Sequence, residues 1–146
     1  MEKKSEAQIF LEQVKRVDTI IPNKLIEIQQ WYDIATSITA TMNGECVQSS
    51  GSKQKMADAV NKCMDIVSEL EGQVDQLKAI KKEVTQTIEQ LYSPIEYDVL
   101  HKRFVQYKTL EEIEEHYNKS DGWAKVTCNR GIKHVQAILK NKCYRV

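Results

Sequence analysis

Residues 118–135 read NKSDGWAKVTCNRGIKHV, a run that sets Lys119, Lys125, Arg130 and Lys133 against a single acid, Asp121. Ammonium and guanidinium groups bind phosphate oxygens. The amide of Asn129, the hydroxyl of Thr127 and the cations of Lys125 and Arg130 are also groups that pair with base edges. The segment follows TLEEIEEHY, residues 109–117, which carries four glutamates and no lysine or arginine. With Ser120 as its cap, a helix from Ser120 to about Lys140 turns Ala124, Cys128, Gly131, Ile132 and Val135 inward. Gly122, Val126, Asn129 and Lys133 then fall on the opposite face, with Trp123, Lys125, Thr127 and Arg130 at its flanks.

The charge of the whole chain hides this contrast. From Lys119 to the end there are seven Lys or Arg against one acid, a net +6, while the preceding residues carry 14 against 20, a net −6. A basic end on an acidic body points to a polyanionic partner. The bland alternative is a solvated helix closing a small bundle.

Such a face must be positioned, and the sequence supplies the elements. Ser93 followed by Pro94, with Glu96 three residues after the serine, is a helix start and marks a boundary near residue 93. A first short helix over about 94–106 offers Ile95, Val99, Leu100 and Phe104 to a core. A second starts at Thr109, repeats the capping-box spacing with Glu112, and offers Leu110, Ile113 and Tyr117. Three short helices with a tight link between the last two outline a helix-turn-helix.

Upstream, Met56, Val60, Cys63, Val67, Leu70, Val74, Leu77, Lys81, Val84, Ile88 and Leu91 recur in steps of four and three, and all but Lys81 are apolar. This is a long helix with a narrow apolar seam. A matching stripe runs through Ala7, Phe10, Leu11, Val14, Val17, Ile21, Leu25, Ile28, Trp31 and Tyr32, with a kink or short break expected at Pro22. The two seams predict an antiparallel helical hairpin over residues 1–92, joined by a long Ser/Thr/Gly-rich loop at about 36–53. The expected fold is therefore all-α: a coiled-coil-like hairpin, then a three-helix domain over 93–146.

The C-terminal stretch PIEYDVLHKRFVQYKTLEEIEEHYNKSDGWAKVTCNRGIKHVQAIL resembles the promoter-reading helix-turn-helix of region four in sigma factors. The matching positions are Val99, Leu100, Arg103 and Phe104, then Thr109, Leu110, Glu112 and Ile113, then Ser120, Arg130, Gly131 and Ile132. The pattern departs at Ala124, usually a larger apolar residue, and at Gly131, usually alanine. The whole chain, hairpin included, is similar to the ArpU/RinA-type regulators of late phage and prophage genes. This resemblance implies sequence-specific binding of double-stranded DNA and transcription regulation, with the hairpin open either to dimerisation or to contact with RNA polymerase. The implied contact set is Lys119, Ser120, Trp123, Lys125, Thr127, Asn129, Arg130 and Lys133, with Arg103 and Thr109 from the preceding helices.

Two other classes stay open: a DNA-packaging component resembling a small terminase subunit, and a protein-interaction module that contacts polymerase without DNA. The hairpin is where a homodimer would form. Catalytic readings are weak, since His101, His116 and His134 stand apart and neither a zinc-binding spacing nor a phosphate-binding glycine loop occurs. No cofactor or metal is expected. Cys46, Cys63, Cys128 and Cys143 lack paired spacing, which suits reduced thiols. No apolar run approaches a membrane span and the N-terminus lacks a signal-peptide core, so the expected location is the cytoplasm of a bacterial host.

Overall fold

A computed structural model describes residues 3–42 and 50–143. They form α1 (Glu6–Met42), α2 (Ser50–Ile88), α3 (Pro94–Leu100), a π-helical turn (His101–Val105), α4 (Leu110–Tyr117) and α5 (Trp123–Cys143), with no strand among the described residues. The protein is all-α and α1 pairs with α2. No helix is long and apolar enough to cross a membrane among the described residues. The chain divides into two compact units: Met1–Asp18 with Ala79–Val146, and Thr19–Lys78.

In the first unit one core joins Ala7, Leu11 and Val14 of α1 to Val84 and Ile88 of α2 and to Val99, Leu100, Ile113, Ala124, Cys128 and Val135. The near end of the helix pair therefore shares its interior with the three short helices, although the sequence signals a boundary at residue 93. In the second unit Ile28, Val67 and Val74 form the cluster, with Ile21, Trp31 and Leu70 partly covered against it. Burial follows the expected α2 seam: Cys63, Val67, Val74, Val84, Ile88 and Leu91 are all buried. Lys81, its one polar member, is half-buried and donates to the Asp18 carboxylate at 2.9 and 3.2 Å.

The structure corrects three expectations. First, α1 runs through Pro22 without the short break, the proline standing on the exposed side of the helix. Second, the loop is far shorter than 36–53. Residues 36–42 and 50–53 are helical, and residues 43–49 lie outside the described part. Thr36, Thr39 and Thr41 return their hydroxyls to the carbonyls of Tyr32, Ala35 and Ser37 at 2.9–3.1 Å, which lets a threonine-rich stretch stay helical. Third, Leu25 is 50% exposed. Its place in the stripe passes to Lys24, whose ammonium donates to Gln73 Oε1 at 2.6 Å.

Candidate nucleic-acid interface

The platform starts at Ser93, whose Oγ accepts the Glu96 N–H at 3.3 Å and caps α3, with Pro94 in the first turn. The helix expected to reach residue 106 instead widens into the π-turn after Leu100. The Gln106 N–H donates to His101 O at 3.0 Å, and the Lys108 N–H reaches back to Lys102 O at 2.9 Å. The chain reverses at Tyr107, which sits at φ 60°, a left-handed conformation that costs a non-glycine residue about 1–3 kcal/mol. Its hydroxyl donates to Asp18, fastening the reversal to α1. Burial works to raise the Asp18 carboxyl, but the Tyr107 hydroxyl and the Lys81 ammonium outweigh it and hold the group below the usual carboxylate range. Burial, together with the same bond and the Asp18 charge, pushes the Tyr107 phenol well up.

Thr109 caps α4 as expected, its Oγ1 accepting the Glu112 N–H at 3.2 Å. Tyr117, at the other end of α4, donates to Asp98 of α3. Burial and this bond push its phenol up to about 12. Asn118 closes α4 in the left-handed region, φ 55°.

The start of α5 differs from the expectation. Ser120 is not its side-chain cap: it contributes only a carbonyl, which accepts the Trp123 N–H at 3.2 Å. The helix begins at Trp123, and Gly122 just before it takes φ +90°. This conformation is why a glycine stands there, since nothing lies within 4 Å of the position a Cβ would occupy. The cap comes from another helix. Glu114 of α4 is 6% exposed, and its Oε2 accepts the Ala124 N–H at 3.0 Å. A carboxylate at the positive end of a helix is favourable both as acceptor and as charge.

The inward face of α5 is the expected one, with Ala124, Cys128, Gly131 and Val135 buried and Ile132 half-buried. A Cβ on Gly131 would stand 3.0 Å from Leu100 Cδ1 and 3.1 Å from its Cγ, so the missing side chain is what lets α5 cross α3 this closely. Burial pushes the Cys128 thiol up to about 11 despite the nearby Arg103 charge.

The outward face brings Lys125, Asn129, Arg130 and Lys133 together on one side of α5, all exposed. None of the three cations has an ion-pair partner among the described residues. Thr127 leaves the contact set: it is 4% exposed and its hydroxyl donates to the Trp123 carbonyl at 2.9 Å, so no base edge can reach it. Trp123, placed on the outward flank by the sequence, is half-buried with its ring 5.2 Å from that of Tyr117. The exposed Lys119 ammonium lies 5.8 Å from the Trp123 ring centre. Ser120 is exposed. Arg103 and Thr109 stand on other elements and hold structural bonds, Arg103 Nη1 donating to Lys108 O at 3.2 Å.

Two residues outside the expected set matter here. Val126, 58% exposed, sits between the cations; the helical spacing places it on the outward face, but an apolar side chain carries no phosphate-binding signal in the sequence. Glu114 gave no local signal, because it caps a helix that starts nine positions later. Comparison with protein-family models, with curated proteins and with solved structures finds no match for this chain.

Proposed function

We propose that this chain binds double-stranded DNA in a sequence-dependent way through the outward face of α5 and acts as a transcription regulator. The observation that carries the reading is the face itself. Lys125, Arg130 and Lys133 flank Asn129 and Val126 on a helix whose other side is pinned by Leu100 and Glu114. α3, the π-turn and α4 then serve as the frame of a helix-turn-helix, with α5 as the element that enters the major groove. In that groove Asn129 suits adenine, Arg130 suits guanine, and the Val126 methyls suit the methyl of thymine. The exposed Glu111, Glu112 and Glu115 of α4 repel phosphate, which leaves the backbone contacts to α5 and to Lys119 in the preceding turn. The resemblance to sigma region four and to late phage regulators supports the same assignment.

Selection of bound sequences from random duplex DNA, with affinity measured at two salt concentrations, tests it. Each phosphate contact contributes about 0.9 to the slope of log affinity against log salt. Arg130→Ala with Lys133→Ala should therefore weaken binding and flatten the slope by up to about 2. Val126→Ala should relax discrimination at one thymine-containing position and leave the slope unchanged. An unaltered slope in the double variant, or no enriched sequence, overturns the assignment.

A further inference from the structure

Within the unit Thr19–Lys78, the clustered core is three buried residues, while Leu25, Ile26, Tyr32, Ile34 and Met64 are 37–56% exposed. A groove of about 400 Å³ runs beside that core, lined by Tyr32, Ala35, Thr36 and Thr39 of α1 and by Val60 and Met64 of α2. The α1 side carries no charge from Ile34 to Met42. The hydroxyls of Thr36 and Thr39 are spent on their own helix, so that wall offers methyl groups and not donors. Five large apolar side chains are thus left open beside a small core, which is the condition for docking another apolar helix.

The α2 side says which helix. Lys53, Ala57, Val60, Met64, Ser68, Glu71 and Asp75 follow one another in steps of three and four, so they form a single ridge. From Lys53 to Asp75 its first end is basic, its middle apolar apart from Ser68 and its far end acidic, and it turns basic again only beyond that span, at Lys78. Lys53, Glu71 and Asp75 are exposed and have no ion-pair partner among the described residues. A ridge with this order complements itself when a second copy is laid on it antiparallel. A two-fold axis at Met64 sets Lys53 against the partner's Asp75, Ala57 against the partner's Glu71, Val60 against the partner's Ser68, and Met64 against its own counterpart. An unrelated partner of either charge would satisfy one end of the ridge and be repelled by the other.

We infer that this chain forms an isologous dimer in which two α2 helices pair antiparallel about Met64, covering the groove beside Val60. The contact spans about 33 Å of helix at 1.5 Å per residue. In a two-fold interface every contact occurs twice, so one substitution removes two ion pairs. This inference stands apart from the DNA-binding reading, since it uses none of the residues of α5.

The test is sedimentation or light scattering of the full chain across a concentration series, with helicity checked by circular dichroism. A monomer–dimer equilibrium is expected. Lys53→Glu and Asp75→Lys should each raise the dimer dissociation constant roughly tenfold, two surface pairs being lost and replaced by repulsion. Together in one chain they restore opposite charges across the axis, and the constant should return to within about threefold of the parent. As a measurement independent of charge, Met64→Cys should join two copies through that position under mild oxidation, as located by peptide mapping. A monomer at every concentration up to about 100 μM overturns the inference, as does an assembly larger than a dimer. So does a double variant weaker than both single ones, or cross-linking that bypasses position 64.

Discussion

Two glycines lie inside long helices and should respond to the same substitution with opposite signs. Gly72 of α2 has nothing within 4 Å of the position of an added Cβ, whereas Gly131 of α5 has three atoms of Leu100 at 3.0–3.4 Å. Alanine is favoured over glycine in a helix by about 1 kcal/mol, so Gly72→Ala should stabilise by about 0.5–1 kcal/mol. Gly131→Ala gains the same term but drives a methyl into Leu100, which is fully buried in the core. Overpacking of this kind costs about 1–3 kcal/mol, leaving a net destabilisation of about 1 kcal/mol. The chain carries its own reporters, since Trp31 packs on the core of the second unit and Trp123 on that of the first. Urea unfolding followed by fluorescence, with either tryptophan replaced by phenylalanine in a parallel set, assigns each change to its unit. Leu100→Ala should cost less in the Gly131→Ala background than in the parent, by an interaction of about 1 kcal/mol. If Gly131→Ala stabilises as much as Gly72→Ala, then Leu100 does not press on α5 and the close crossing is wrong.

Two further outcomes follow from the supports of α5. Glu114→Ala leaves the Ala124 N–H without its acceptor and should lower stability by about 1–2 kcal/mol; Glu114→Gln, which keeps an acceptor, should cost less, and equal losses would refute the capping role. The carboxyls of Asp18 and Asp98 are both held below their ordinary value of 3.8, against the opposing effect of burial, by a tyrosine hydroxyl and a lysine ammonium. Groups depressed on folding contribute stability above the unfolded value and lose it as the pH falls through the folded one. The melting temperature should therefore drop as the pH falls below about 4, and Asp18→Asn with Asp98→Asn should flatten that drop. An unchanged acid limb in the double variant would locate the sensitivity elsewhere.

What could be read from the sequence was whatever burial periodicity controls. The α2 seam and the inward face of α5 follow from spacing alone, because each buried position repeats at the helical period. Flank positions do not follow in this way. Thr127 and Arg130 both stood at the edge of the outward face, and a modest rotation of α5 buries one and exposes the other. Leu25 and Lys24 exchange places for the same reason, since the seam drifts by part of a residue per turn while the sequence offers a more hydrophobic neighbour. Composition misled at Thr36–Met42, where threonine and serine suggest a loop but hydroxyl back-bonding supports a helix. The Glu114 cap and the Tyr107–Asp18–Lys81 cluster are contacts between distant segments, and no local pattern announces them.

On the DNA-binding reading proposed above, Glu114 limits how many base pairs one copy could cover. With a carboxylate seated on the first turn of α5, the tip of that helix is closed to a phosphate, and DNA could be met only along its side. The side chains available there run from Lys125 to Lys133, about 12 Å of axis at 1.5 Å per residue. At 3.4 Å per base step that is a word of three or four base pairs. A word so short recurs by chance about every 60 to 260 base pairs, too often to mark one site. A single α5 would then be half of an address, and the rest would have to come from a second copy held at a fixed distance or from another protein already at the site.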